Sequence, residues 1–159
     1  MEFKAINTTV WRIYREWILD HLQLEAAWFK GCSTRYLSEP ELRKLLGNSA
    51  SLVLIQGSPM GIVSLEYQSY AASHYRLALS MSSSLDRLVS TQALRLAIAS
   101  FGKTREFKKI VCEIPSSELE SIEILQDSRL FTLTGRLPER HFIKGQYTDE
   151  LQFICEEYH

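Results

Sequence analysis

The chain has 159 residues, of which 45% are hydrophobic and 23% charged, so we expect one folded domain and exclude a disordered chain. Its 18 basic and 19 acidic residues give a net charge of −1, which argues against a nucleic-acid partner, and no apolar run approaches the ~20 residues that cross a bilayer. The three cysteines lie far apart and form no CxxC pair, which indicates reduced thiols in the cytoplasm and no metal site.

The first third of the chain predicts a strand followed by a long helix. Residues 3–6 alternate as a strand does, and residues 7–9 offer N-cap oxygens for the helix. The apolar residues with helical spacing are Val10, Trp11, Tyr14, Trp17, Ile18 and Leu22. A second apolar group extends the helix toward Gly31, which stops it or turns the chain; this group comprises Leu24, Ala27, Trp28 and Phe29.

A short helix and three strands come next. Ser38 and Glu41 form a capping box, with Pro40 in the first turn, and Gly47 ends this helix. Strands are predicted over residues 51–56, 61–68 and 74–82. The first two are joined by a hairpin turn at residues 57–59.

The next helix is expected to begin at Ser84, to run to about Phe101 and to end at Gly102. Its apolar residues fit one buried stripe, which comprises Leu85, Leu88, Val89, Ala93, Leu96, Ala97 and Phe101. A buried strand over residues 109–114 follows.

The end of the chain predicts one more helix and two strands. Ser117 and Glu120 form a capping box, and the helix presents Ile122, Ile124 and Leu125 on its apolar face. The last strands, 129–137 and 148–155, flank a loop that holds Pro138 and Gly145. The whole order is β-α-α-β-β-β-α-β-α-β-β, an α/β (α+β) fold in which about seven mixed, mostly antiparallel strands are flanked by about four helices.

Four short motifs carry a family resemblance. The helix segment Thr91-Gln92-Ala93-Leu94-Arg95 and the later Ser121-Ile122-x-x-Leu125 are the first two. The third and fourth are the strand residues 135–139, Gly-Arg-Leu-Pro-Glu, and the loop Gly145-x-Tyr147-x-Asp149. In this order they resemble the ribosomal-protein alanine acetyltransferase branch of the GNAT acyltransferases, although Pro138 stands where that branch usually has Arg. The resemblance implies a single GNAT-like domain over residues 1–159.

The resemblance also implies an activity, the transfer of an acetyl or other acyl group from acyl-CoA to an amine. The acceptor would be a protein N-terminus or a small amine. The chain would act alone or as a homodimer. In GNAT enzymes the main chain of the fourth strand binds the pantetheine and polarises the thioester carbonyl. The matching residues here are Leu79, Ser80, Met81 and Ser82.

The phosphate loop of the family departs from its pattern here. The family sequence Gln/Arg-x-x-Gly-x-Gly/Ala falls on residues 85–90, so Leu88 replaces a glycine and Asp86 adds a charge like that of the phosphates. Ser82 to Ser84 either bind phosphate or only cap the helix, and Arg87 either pairs with phosphate or is solvated. The expected phosphate-binding residues are Arg87, Leu88, Val89, Ser90 and Thr91.

Candidate catalytic residues are few. Leu125 stands where many GNAT enzymes have a tyrosine that protonates the thiolate, and Glu118 where an asparagine often opens the helix. The strand at 76–81 has no carboxylate, so Glu66 on the preceding strand is the nearest candidate base, unless it is an outward surface charge. His74 is a second candidate, with a surface role as its alternative.

Other features have structural explanations beside functional ones. His141 contacts substrate or is a plain loop residue, and Cys112 is expected to be inert in its buried strand. The helix-spaced aromatics are core residues unless several are exposed. The cluster Lys103, Arg105, Lys108 and Lys109 is a solvated face, or a contact for the CoA 3′-phosphate. Because several motif positions are lost, the alternative to an enzyme is a catalytically inactive GNAT-like domain that binds a protein partner or another ligand.

Overall fold

A computed structural model of the chain describes residues 1–23, 28–69 and 73–156. The helices are α1 Thr8–Leu22, α2 Glu39–Leu46, α3 Arg87–Thr104 and α4 Leu119–Ser128. The strands are β1 Glu2–Ala5, β2 Trp28–Phe29, β3 Cys32–Ser33, β4 Ala50–Ile55, β5 Ser58–Ser69, β6 His74–Met81, β7 Lys109–Pro115, β8 Thr132–Ile143 and β9 Gln146–Glu156.

Seven strands form one sheet in the order β1-β4-β5-β6-β7-β9-β8, and β2 pairs only with β3. The pair β6–β7 is parallel. The pairs β1–β4, β4–β5, β7–β9 and β8–β9 are antiparallel. The predicted fold class, a mostly antiparallel sheet of seven strands with four helices, is confirmed.

The chain divides into two compact units. The first comprises Met1–Leu65 and Ala78–Leu85. Its core is built by α1, α2 and the strands beneath them, with Ile6, Val10, Trp11, Ile18, Leu22, Phe29, Leu42, Leu46, Ala50, Leu52, Leu54, Ile62 and Ala78. The second comprises Glu66–Leu77 and Asp86–His159. Its buried side chains include Tyr75, Leu77, Leu94, Ile98, Ile110, Cys112, Ile124, Leu125 and Phe153.

The expected extension of the first helix is wrong. Trp28 and Phe29 form strand β2, which pairs with β3 across a tight turn. Lys30 and Gly31 both have positive φ, 51° and 79°, as a two-residue hairpin turn requires, so Gly31 does turn the chain. Leu24 and Ala27 lie outside the described residues.

Two of the predicted helix starts differ from the structure. Helix α3 is capped by Asp86 rather than Ser84, and it runs through Gly102 to Thr104. Leu88 is 76% exposed and Leu96 is exposed as well, so the buried stripe begins later and is narrower than predicted. Helix α4 begins at Leu119 after Glu118, and the capping box at Ser117 is wrong. By contrast, the capping box at Ser38 is confirmed, because the Glu41 carboxylate accepts hydrogen bonds from the Ser38 amide and hydroxyl.

Two turns also differ in position. The β4–β5 turn is Gln56-Gly57, with φ of 51° and 82°, and Pro59 already lies in β5. The predicted loop near the end is a hairpin whose turn is Lys144-Gly145, so Pro138 lies within β8. The β8–β9 register shifts between Leu137 and His141, and such an irregularity tolerates a proline in a strand.

Candidate functional site

The C-terminal end of β6 extends beyond its pairing with β7. The parallel pairs join His74–Arg76 to Lys109–Val111, and β6 continues to Met81. The amide of Ser82 donates to the Met60 carbonyl at 2.9 Å, which holds this end of the strand. Of the residues that the sequence assigned to the pantetheine, Leu79 is buried and Ser80, Met81 and Ser82 are half-buried.

A histidine that the sequence analysis did not select lies against this end of β6. His21 Nε2 is 2.9 Å from Ser80 Oγ and 3.2 Å from the Ser80 carbonyl oxygen. The His21 ring stacks on Trp17, with centroids 4.5 Å apart and planes 12° apart. Burial lowers the pKa of His21, and the Ser80 carbonyl opposes this only in part, so the ring is neutral at pH 7.

Helix α1 places His21 on its buried face. His21 follows Trp17 by four residues and Ile18 by three, which aligns all three on one side of the helix. The helix departs from helical geometry at Tyr14, with φ −111° and ψ 15°. The sequence did hold a signal for His21, a titratable residue within the apolar stripe. The signal was missed because the stripe was traced through its apolar members alone.

The two residues proposed from sequence as catalytic lie elsewhere on the strands. Glu66 is half-buried on β5 and takes part in interactions there. His74 is half-buried at the start of β6, where it pairs with Lys109 of β7. It precedes Ser80 by six residues on the same strand.

The first turn of α3 already carries a carboxylate. Asp86 Oδ1 accepts a hydrogen bond from the Leu88 amide at 2.7 Å, and the Asp86 carbonyl accepts one from the Ser90 amide at 3.0 Å. Both Ser90 and Thr91 are buried, and their hydroxyl oxygens have no hydrogen-bond partner among the described residues. The side-chain cap occupies the Leu88 amide, so this turn offers an anion one main-chain donor fewer than an uncapped turn would.

Arg87 is held by acidic residues of α4. Its Nη1 lies 2.8 Å from Glu123 Oε2, and its Nε lies 2.9 Å from Asp127 Oδ2. The hydrogen bond to Glu123, with the charges of both carboxylates, raises the pKa of Arg87. Arg87, which the sequence proposes as a phosphate ligand, therefore already forms ion pairs with two carboxylates of the second unit.

No protein-family profile and no curated protein matches the sequence, but solved structures match its fold. RimL, a ribosomal L7/L12 alpha-N-protein acetyltransferase in complex with coenzyme A, has a TM-score of 0.78 at 14% identity, over 97% of this chain and 92% of that chain. An acetyltransferase of the GNAT family from Streptococcus pneumoniae has a TM-score of 0.75 at 14% identity, over 98% and 99%. The chain has the GNAT fold. A variant of the spermidine N-acetyltransferase SpeG from Vibrio cholerae is also similar, with a TM-score of 0.66 at 18% identity, over 98% and 92%.

The resemblance places two GNAT positions on α4. Leu125, which the resemblance matches to a tyrosine that protonates the thiolate, is completely buried. Burial raises the pKa of Glu118, at the N-terminus of the helix, to about 6. Its side chain makes no capping hydrogen bond to the helix amides.

The remaining candidates have local partners or lie in the core. His141, expected in a loop, is a β8 residue 2.9 Å from Glu150 Oε2. Burial raises the pKa of Cys112 to about 12, which keeps its thiol protonated. Ser82 Oγ and Ser84 Oγ are 2.8 Å apart.

Among the described ranges no group of three or more His, Cys, Asp or Glu side chains is arranged to hold a metal ion, and no helix has the length and apolarity to cross a membrane.

Proposed function

We propose that this chain transfers an acetyl or other acyl group from acyl-CoA to an amine in the cytoplasm. Its GNAT fold supports the proposal, since one similar structure is named as a complex with coenzyme A and others as acetyltransferases. These proteins suggest two kinds of acceptor, a protein N-terminus and a polyamine such as spermidine.

The observation that carries the proposal is the continuation of β6 to Met81, beyond Arg76, the last residue in its register with β7. Strand groups there are suited to the amides of pantetheine, because an extended ligand can pair with a strand through main-chain hydrogen bonds. A main-chain N–H between Leu79 and Met81 would donate to the thioester oxygen, which becomes negatively charged in the tetrahedral intermediate, since the Ser82 amide already donates to Met60. Main-chain donors need no particular side chain, so this part of the chemistry survives the loss of the loop glycines.

The phosphates are proposed to bind the first turn of α3, at Arg87, Leu88, Val89, Ser90 and Thr91. Main-chain amides at a helix N-terminus favour an anion. Asp86 works against this, because its carboxylate adds negative charge and occupies the Leu88 amide. We therefore expect acyl-CoA to bind more weakly than it would to a glycine-rich loop.

For proton removal from the amine, the sequence proposes Glu66 and His74. Either base would have to reach the amine directly or through one water molecule. The half-buried position of Glu66 on β5 is compatible with this role. His74, at the start of β6, is the weaker of these two candidates, because the thioester-binding groups are proposed at the other end of that strand.

A second candidate function is a catalytically inactive domain that binds a protein partner or another ligand. The capping of α3 by Asp86 favours it, as does the buried Leu125 in place of a thiolate acid. Such a domain would keep the fold without keeping the acyl-CoA site.

The two candidates are separated by a transfer assay. The purified chain is incubated with acetyl-CoA and either a trialanine peptide or spermidine, and the amine is analysed by mass spectrometry. The enzyme predicts protein-dependent acetylation of at least one amine, with release of an equal amount of free CoA. Failure of both amines at millimolar acetyl-CoA, together with no binding of acetyl-CoA, would support the inactive domain.

A further inference from the structure

Resting on the proposed function, we propose that Ser80 and His21 form a two-step route that removes the proton from the acceptor amine. Ser80 would touch the amine, and His21 would act through Ser80. Ser80 is half-buried on β6, within the segment proposed to bind the thioester, whereas His21 lies deeper, at 8% exposure. Ser80 is therefore the more exposed of the two residues.

The geometry suits a proton transfer between these side chains. The distance from Ser80 Oγ to His21 Nε2 is 2.9 Å, in the range of an O–H···N hydrogen bond. Stacking on Trp17 fixes the plane of the imidazole, so Nε2 is directed at Ser80. The described residues give the ring no carboxylate partner, and the influences on its pKa are burial and the Ser80 carbonyl.

In the proposed transfer, the neutral amine nitrogen attacks the thioester carbon, and the carbonyl π electrons move to oxygen. The amine nitrogen, now positive, gives a proton to Ser80 Oγ as the Ser80 hydroxyl proton passes to His21 Nε2. The intermediate collapses to the amide as the C–S bond breaks. The CoA thiolate leaves with that electron pair and takes a proton from solvent, and the imidazolium returns its proton to solvent through the Ser80 hydroxyl.

Both protonation states of His21 find a partner on the same residue. The neutral ring accepts from the Ser80 hydroxyl at Nε2. The charged ring carries a proton at Nε2, which can be donated to the Ser80 carbonyl oxygen, 3.2 Å away. The imidazolium formed during the step is therefore not left without an acceptor, although it is buried.

A purely structural pair would have the opposite tautomer. If Nε2 carries the proton in the resting protein, it donates to the Ser80 carbonyl and cannot accept a proton from the hydroxyl. The two roles are therefore distinguished by which ring nitrogen is protonated at neutral pH. The positions of these hydrogens can be measured by NMR.

The kinetic test compares His21→Gln and Ser80→Ala with the wild type. Each variant should lower kcat for acetyl transfer by roughly 100-fold, the typical contribution of general base catalysis. The KM for acetyl-CoA should stay within about twofold, because the main chain of β6 is kept. The double variant should be little worse than either single variant, since the two groups act as one unit.

Matched controls are Asp20→Asn, the exposed neighbour of His21 on α1, and Ser100→Ala, an exposed hydroxyl on α3. Both should keep the wild-type rate. In the wild type, kcat/KM should fall at acidic pH for two reasons, protonation of the amine and protonation of His21, and His21→Gln should show only the fall caused by the amine. A role confined to packing would lower the rate and leave the two pH profiles alike.

The tautomer is measured from the ¹⁵N chemical shifts of His21 in the labelled full chain at pH 7.5, with His21→Gln as the assignment control. We expect a proton on Nδ1 and none on Nε2. A proton on Nε2, or unchanged kcat in both variants, would overturn the proton route and leave the transferase intact. Absence of acetyl-CoA binding to the wild type would instead overturn the proposed function. If acetyl-CoA binds but neither amine is acetylated, the His21 tautomer alone tests the proton route: a proton on Nδ1 supports it, and a proton on Nε2 overturns it.

Discussion

The carboxylate of Asp86 accepts a hydrogen bond from the Leu88 amide at 2.7 Å, on the turn that we propose as the phosphate site. The same side chain therefore stabilises the start of α3 and opposes an anion there. N-caps of this kind stabilise a helix by about 1 kcal/mol. The two effects can be separated, because asparagine caps a helix without a negative charge.

Asp86→Asn should bind acetyl-CoA about two- to fivefold more tightly than the wild type, since one charge at a helix N-terminus is worth roughly 0.3–1 kcal/mol. The free energy of unfolding should fall by less than about 1 kcal/mol, because the cap is kept and only the interaction of the charge with the helix dipole is lost. Asp86→Ala is the companion variant, and it should lose about 1 kcal/mol of stability with the cap. The measurements are calorimetric titration and urea unfolding. Equal affinity of wild type and Asp86→Asn would show that no phosphate binds near this turn.

The ion pairs of Arg87 give a second prediction. Replacing both partners, as in Glu123→Gln/Asp127→Asn, should free the guanidinium and raise the affinity for acetyl-CoA a few-fold at low salt. Adding Arg87→Gln should cancel that gain. Because all three side chains are about half exposed, the loss of stability should stay below about 1 kcal/mol. If the affinity for acetyl-CoA is the same with and without these substitutions, Arg87 serves only to join α3 to α4.

Gly61 gives a third prediction, because it lies close to the end of β6. A Cβ atom at Gly61 would meet Met81 Sδ at 2.5 Å and the Ser80 carbonyl oxygen at 3.0 Å. Gly61→Ala should therefore cost about 1–3 kcal/mol of stability, as overpacking does, and should slow acetyl transfer by displacing Ser80. The control is Gly135→Ala, whose nearest neighbour would be the Gln152 side chain at an ordinary 3.6 Å. A similar loss of unfolding free energy in Gly61→Ala and Gly135→Ala would refute the close approach at Gly61.

His21 predicts a pH dependence of stability. Its pKa in the folded chain is lowered by burial, so between that value and the ordinary histidine pKa of about 6.5 the unfolded chain binds more protons. The stability that His21 contributes is therefore fully present above about pH 6.5 and is lost as the pH falls through the folded pKa. Between pH 8 and pH 5, the wild type should lose more stability in urea unfolding than His21→Gln does. An equal loss of stability in the wild type and in His21→Gln would contradict a buried, neutral His21.

Much of the fold follows from local patterns in the sequence. The apolar spacing of α1 and the capping box at Ser38 predicted helices that the structure contains. The errors arose where short-range signals compete. Trp28 and Phe29 fit a helical count, yet Lys30 and Gly31 take the positive φ of a hairpin turn. Ser84 and Asp86 both suit an N-cap, and the structure uses Asp86.

The candidate site was less predictable because its partners are distant in sequence. His21 and Ser80 are 59 residues apart, and no local motif records that one lies against the other. Arg87 looked free for a phosphate, since its acidic partners belong to a helix more than 30 residues later. Such pairings depend on how the elements pack, which periodicity alone does not determine.

The central claim, that this chain uses acyl-CoA, is tested most directly by isothermal titration of the purified protein with acetyl-CoA, accompanied by free CoA and a longer acyl-CoA. We predict saturable binding in the micromolar range, with acetyl-CoA also raising the melting temperature. Absence of both heat and thermal stabilisation at millimolar acetyl-CoA would contradict acyl-CoA chemistry and leave the inactive binding domain as the remaining account.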